Sequence, residues 1–479
     1  MPIDLPKLAI QAGKHWVENI RKLGPWRQAT LVAAVLLAIT ISMVPPPAGT
    51  PATAMTALGL AAATVLLWAT VAIQQPYTAI LFLTATWLSG TASLAATTSG
   101  FFSSTLLLVF GGLLIGLAAE RSGFGAFIAQ KFFGRFRTSY GQLVLGVLVG
   151  TTLLSFFVPA NMGRLAITIP IVLALADDAG YPRGSAGHYG LVMVTVVGNF
   201  TVALAILPAN LLNIMVVGTG ESLYGIRFSY LEYLYLCAPV LGLAKAALVW
   251  WVVTRWFPAP QPKAEPEKKL TLGPDARRVA IILAITIALW STDVIHGIRP
   301  GVVAVLSGLA CLTPRLGVLK PGDAIDGKKI LLLTWIGTVL SLGAVLTESG
   351  ASSLVSHALS ELAGVAGQSP FYGHLAIAYL AAALTAIATI GGAVPVMVAA
   401  AGDIAEATGL PMKSAVLSVT SGMSVLALPF VAAPIAVGLT MGRVPMAVAT
   451  RFMLVLAAAT CLVIVPLNAL WWRLVGVVP

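Results

Sequence analysis

Charge is scarce in this chain. Only 9% of its 479 residues are Asp, Glu, Lys or Arg, 58% are hydrophobic, and the mean hydropathy is +0.94. Soluble domains carry about a quarter charged residues, so the composition excludes one and points to a bilayer. Acids are scarcest, 17 against 28 Lys and Arg, leaving a net charge of +11. The basic residues sit in short loops between apolar runs, so the excess is a topology signal and no nucleic-acid partner is expected. Cysteine is nearly missing. Cys237, Cys311 and Cys461 lie in or at the ends of apolar runs without metal or redox spacing, as small core residues do. No nucleophile–base pair, metal-ligand cluster or nucleotide loop occurs, which argues against an enzyme and against ATP-driven transport.

Long apolar runs are what the chain has instead. They fall near 28–45, 55–73, 77–96, 104–119, 186–218, 230–254, 277–294, 300–313, 331–348, 414–440 and 446–474. At roughly 20 residues per crossing they predict an all-α polytopic membrane protein of about eleven transmembrane helices. Gln74-Gln-Pro76 joins two of them by a tight helical turn. Two more apolar regions, 140–178 and 371–401, are interrupted at their centres by Phe157-Val-Pro-Ala-Asn-Met-Gly-Arg-Leu-Ala-Ile-Thr-Ile-Pro170 and Thr389-Ile-Gly-Gly-Ala-Val-Pro395. An unpaired amide in hydrocarbon costs several kcal/mol, so a helix breaks there only where protein or a watery cavity meets the freed groups. Broken helices of this kind build solute sites in secondary transporters.

Charge placement predicts that both interrupted regions are re-entrant hairpins. With a cytoplasmic N-terminus, the basic loops at 121–137, 255–278, 314–329 and 441–451 then all face the cytoplasm and the C-terminus lies opposite. A single crossing in place of either hairpin would move the following basic loops to the wrong side. Residues 1–27, with Lys7, Lys14, Arg21, Lys22 and Arg27 and no small-residue cleavage site, are expected as a cytoplasmic interfacial segment.

The halves look like inverted repeats. Gly116-Leu-Ala-Ala-Glu-Arg-Ser-Gly123 matches Gly343-Ala-Val-Leu-Thr-Glu-Ser-Gly350, and Pro182 matches Pro411 at nearly the same offset. Each hairpin is followed by a run broken near its middle, Leu207-Pro-Ala-Asn210 in one half and Leu428-Pro-Phe-Val-Ala-Ala-Pro434 in the other. The expected plan is scaffold helices in 28–123, an interfacial helix in 124–139 and transport elements in 140–256. A cytoplasmic linker over 257–276 follows, then scaffold helices in 277–350, a connecting segment over 351–370 and transport elements in 371–479.

These motifs resemble the divalent anion:sodium symporter family of the ion transporter superfamily, over nearly the whole chain. That family carries Ser-Asn-Thr at each hairpin tip with a Leu-Pro-Ile beyond it. Here Ala160-Asn-Met162 and Ile169-Pro-Ile171 stand at the same spacing. Its Gly-Thr-Pro-Pro-Asn is similar to Ile206-Leu-Pro-Ala-Asn210, its later proline motif to Leu428–Ile435, and its last helix to Pro466-Leu-Asn-Ala-Leu-Trp-Trp472. The resemblance implies a homodimeric elevator in the inner membrane, with one sodium at each hairpin and an anionic solute between the tips. Departures are clear. The second Ser-Asn-Thr slot reads Thr389-Ile390-Gly391, and the last Asn of the second proline motif is Ile435. The implied function is secondary transport of a carboxylate, sulfonate or sulfate-like oxyanion. Sodium symport, proton coupling, anion exchange and export stay open as modes, and a channel is the remaining alternative.

Candidate substrate-binding residues are Asn161, Met162, Gly163, Arg164, Asn210, Thr389, Gly391, Gly392 and Pro434; candidate cation-binding residues are Asn161, Gly198 and Asn210. Asn161 both accepts and donates, and also suits a helix cap. A guanidinium one turn inside a membrane hairpin is costly. Arg164 therefore clamps an anion, supplies the positive charge a sodium would otherwise bring, or pairs with an acid such as Asp177 or Asp178. Gly198 either offers backbone oxygen to a cation or lets helices pack closely. Asn161→Ala and Arg164→Ala are both expected to abolish uptake with the fold intact.

Overall fold

The computed structural model describes residues 24–479 apart from 134, 135, 137, 160, 264–270, 388 and 389. Among these the chain is all-helical. Eight helices are long and apolar enough to cross a membrane, and Pro300–Leu312 and Pro370–Ala386 are shorter apolar helices. The protein is a multi-pass membrane protein.

Both interrupted regions double back. In the first hairpin, Tyr140–Phe157 is followed after a three-residue tip by Asn161–Asp178. Tyr140 opens the first arm and Tyr181 follows the second, and their rings meet edge to face at 5.7 Å. The arms therefore return to one end. The second hairpin, Pro370–Ile387 and Ile390–Thr408, closes likewise: a Cβ on Gly373 would lie 2.3 Å from Thr408 Oγ1. Pro170 and Pro395 sit within second arms that stay helical.

The hairpins open toward opposite ends of the molecule. A long helix over Tyr230–Trp256 is the ruler. Near its start, Glu232 pairs with Lys413, just beyond the second hairpin, at 2.6 Å. Near its end, Trp250 Nε1 donates to Gly141 O at the base of the first hairpin, at 2.7 Å. At about 1.5 Å per residue the two anchors are roughly 27 Å apart along the axis.

Two broken helices cross between the hairpins. Ala186–Thr201 gives way to short 3-10 turns and resumes as Leu211–Tyr224; Met412–Met423 breaks and resumes as Ala433–Met441. Each break holds a proline in its turn, Pro208 or Pro429, where the missing N–H and fixed φ are tolerated. The backbone repeats the same sentence twice: an extended residue (Ile206, Leu428), a proline turn, an extended cap (Asn210, Ala432) and a new helix. The packing is reciprocal. Gly438 and Gly442 lie against Val196 and Val192, and Gly220 lies against Val416, so each first half faces the other helix's second half.

The flanking helices pack through small residues. Ser104–Arg121 and Pro300–Leu312 approach through Gly111 and Gly301, where a Cβ would stand 2.2 Å from backbone atoms. Gly100 N donates to Ser341 Oγ at 3.0 Å in Gly327–Glu348, and Glu348 accepts from Ser93 N at 2.7 Å. Glycine there replaces side-chain burial with close backbone approach, as apolar solvent requires.

Candidate functional site

A cavity of about 580 Å³ lies where the first hairpin tip meets both breaks. Pro159, Asn161 and Met162 come from the tip, Pro208, Asn210 and Leu211 from the first break, and Val431, Ala433 and Pro434 from the second. Three helices, beginning at Asn161, Leu211 and Ala433, start at its wall. Each brings first-turn N–H groups and the positive end of its dipole. No described lining residue is charged. Helix starts of this kind favour negative charge.

Asn161 is oriented by Arg164. The guanidinium is a pure donor, so the Asn161 atom that receives its Nη2 is the carbonyl oxygen Oδ1, and the carboxamide nitrogen is left for the cavity. Met162 follows, half-exposed at the cavity wall, and Gly163 completes the turn.

Arg164 lies behind that wall, fully buried. Its Nε donates to Asn199 Oδ1 at 3.1 Å. Nη1 donates to Val158 O at 2.5 Å and Ala209 O at 2.9 Å, and Nη2 to Asn199 O at 2.8 Å as well as to Asn161. All five N–H groups are spent on neutral protein oxygens. Asp177 and Asp178 take no part, and no donor remains for a solute. The guanidinium ties the hairpin tip to the first broken helix.

Asn210 is buried at the cavity wall but committed to its own break. Its Oδ1 accepts from Leu212 N at 3.1 Å as the cap of the new helix, and its Nδ2 donates to Phe200 O at 3.1 Å. Asn213 Nδ2 closes Ala203 O and Ile206 O at 3.1 and 2.8 Å. Gly198 packs on the first hairpin, where a Cβ would stand 2.8 Å from Leu148 Cδ1. In the second hairpin Gly391 and Gly392 lie in the first turn of Ile390–Thr408, and a Cβ on Gly392 would face Trp68 at 3.6 Å. Thr389 lies outside the described residues.

Sequence reasoning missed four participants. Gln74 and Gln75, read only as a turn, line the cavity, as does Trp335, whose indole N–H has no partner among the described residues. Lys245 is fully buried in the Tyr230–Trp256 helix, just after a π-turn over Ala238–Ala244. Its Nζ donates to Ser424 O at 3.2 Å, at the second break, and to Thr460 Oγ1, which opens the π-turn of the last helix. A lone lysine inside an apolar run was the available signal.

A family model described as the sodium:sulfate symporter transmembrane region matches residues 26–478. A Cupriavidus necator relative described as a membrane protein is 24% identical over 363 residues, covering 70% of each chain. The putative malate transporter YflS of Bacillus subtilis is 25% identical over 69% of this chain and 71% of its own. The sodium-dependent dicarboxylate transporter SdcS of Staphylococcus saprophyticus is 24% identical over 54% of this chain and 56% of its own. In fold, the chain is similar to the crystal structure of the Alcanivorax borkumensis YdaH transporter, with a TM-score of 0.53 at 15% identity, covering 84% of this chain and 90% of that one.

Proposed function

The chain belongs to the sodium:sulfate symporter family of anion transporters, and on that footing we propose that it carries a small divalent anion, a dicarboxylate or sulfate, through the cavity at the first hairpin tip. The observation that carries this reading is the convergence of three helix N-termini on one cavity with no charged residue among its described lining. Such a site binds an anion through N–H groups and dipoles already in place, so little reorganisation is needed. The Asn161 carboxamide nitrogen and the Trp335 indole N–H add donors, and Arg164 supplies a fixed positive field one hydrogen bond behind the wall.

Transport is an elevator motion in this reading. The moving body comprises the two hairpins, the two broken helices and the helices over 230–256 and 446–474. The remaining helices form the scaffold of a homodimer in the cytoplasmic membrane, with the N-terminus inside. A smooth contact supports it: Gly112 lies against Pro159, Gly218 against Thr105, and Gly343 against Leu223. Small residues let such surfaces slide with little interlocking.

Purified protein in proteoliposomes tests the function. Uptake of labelled malate, succinate or sulfate, saturable and competed by unlabelled anion, is expected. Absence of saturable uptake for all three, in sodium, in choline and with anion preloaded, would reject it.

A further inference from the structure

Sodium does not fit the two helix breaks as this chain builds them. A cation site in a broken-helix transporter is made from unwound carbonyls and the negative C-terminal ends of half-helices. Both breaks offer such oxygens here, and a built-in cation reaches each. Arg164 takes Val158 O, at the end of the first hairpin arm, with Asn199 O and Ala209 O at the first break. Lys245 takes Ser424 O, at the end of the Met412–Met423 half-helix. The two cations sit at the C-terminal ends of half-helices, while the cavity sits at the N-terminal ends.

We infer that Arg164 and Lys245 are covalently tethered replacements for coupling sodium ions, and that the protein is a sodium-independent anion exchanger. The exchange half of this inference rests on the anion-carrier reading. Sodium ions leave a symporter with the solute, so its empty site returns uncharged. Tethered cations cannot leave. A loaded carrier then holds a dianion against the fixed Arg164 charge and the Lys245 ammonium and crosses near neutrality, whereas the empty carrier would drag uncompensated positive charge through a low-dielectric barrier. Return therefore requires another anion. An Arg is suited to this because it never deprotonates and its planar fork reaches five acceptors at once.

Two measurements decide it. Ligand-free protein in detergent is heated in sodium chloride, potassium chloride and choline chloride at matched ionic strength. Equal unfolding temperatures are expected, because a site that bound sodium only in the folded state would raise the midpoint in sodium alone. A sodium-specific rise overturns the inference whether or not any anion is carried. In proteoliposomes, uptake of labelled malate or sulfate is compared between vesicles preloaded with the same unlabelled anion and empty ones, each in sodium and in choline. Preloading is expected to raise uptake about tenfold or more, given the cost of moving unpaired charge, with no difference between the two salts. Uptake into empty vesicles that follows an inward sodium gradient overturns the exchange mode. Lys245→Gln, which removes one charge, is expected to lower the preloaded-to-empty ratio. A ratio unchanged in that variant would remove Lys245 from the mechanism.

Discussion

Arg164 Nη1 donates to the carbonyl of Ala209 at 2.9 Å, across 45 residues of sequence, and so bolts the first hairpin tip to the helix break that faces it. The bond is one of five made by a guanidinium with no exposed surface. Removing it strands several buried acceptors at once.

Arg164→Ala is therefore expected to damage the fold as well as transport, unlike the intact fold that the sequence suggests. Hydrogen bonds to a charged group contribute about 1.5–3 kcal/mol each and do not add fully, so a loss of at least about 3 kcal/mol is expected. The unfolding midpoint of the purified variant measures it. Arg164→Lys, with three donors for five acceptors, is expected to fall between.

Asn161→Asp separates the two faces of that side chain. A carboxylate still accepts from Arg164, so the thermal midpoint is expected to hold or rise. Toward the cavity it exchanges a donor for a negative charge, and anion affinity is expected to fall roughly 10- to 100-fold, about 1.5–3 kcal/mol. Uptake kinetics and thermal shift on the same preparation check both halves.

Gly218 and Thr105 form a size-matched pair on the surface between the broken helix and Ser104–Arg121. A Cβ on Gly218 would lie 2.4 Å from Thr105 Oγ1. Gly218→Ala is expected to slow transport and cost about 1–3 kcal/mol through overpacking. Adding Thr105→Gly removes every side-chain atom involved and is expected to restore uptake. A double variant as slow as the single one would place the fault elsewhere.

The opposed hairpins predict opposite labelling. Lys413 sits by the start of the long helix, with Glu232, whereas Lys263 N bonds Ala179 O at 3.1 Å beside the other hairpin's open end. With Cys237, Cys311 and Cys461 replaced by Ser, Lys413→Cys and Lys263→Cys are expected to react with an impermeant maleimide from opposite sides of sealed vesicles. Labelling from one side would contradict the re-entrant topology.

The two proline motifs show where legibility stopped. Their letters suggest that Ile435 replaces the final Asn of the second motif. The backbone instead pairs the cap Asn210 with Ala432, and Asn213 with Ile435, since each pair holds the same place relative to its new helix. Both turns hold three residues, but the proline stands second in Leu207–Ala209 and first in Pro429–Val431, so the letters do not keep the register that the backbone keeps.

Hydropathy, charge placement and interrupted apolar runs determined by themselves that the chain is helical, crosses the membrane repeatedly and dips into it twice. These follow from the solvent: lipid leaves no freedom about backbone pairing, and a break is visible in Pro, Gly and Asn wherever it occurs. The meeting of three helix starts on one cavity, the oxygens that receive Arg164, and the bond from Lys245 to a break 179 residues away were decided only by the tertiary structure. A sequence names donors. Which acceptors they reach depends on how distant helices pack, and packing in an apolar medium leaves little trace in the order of small and greasy residues.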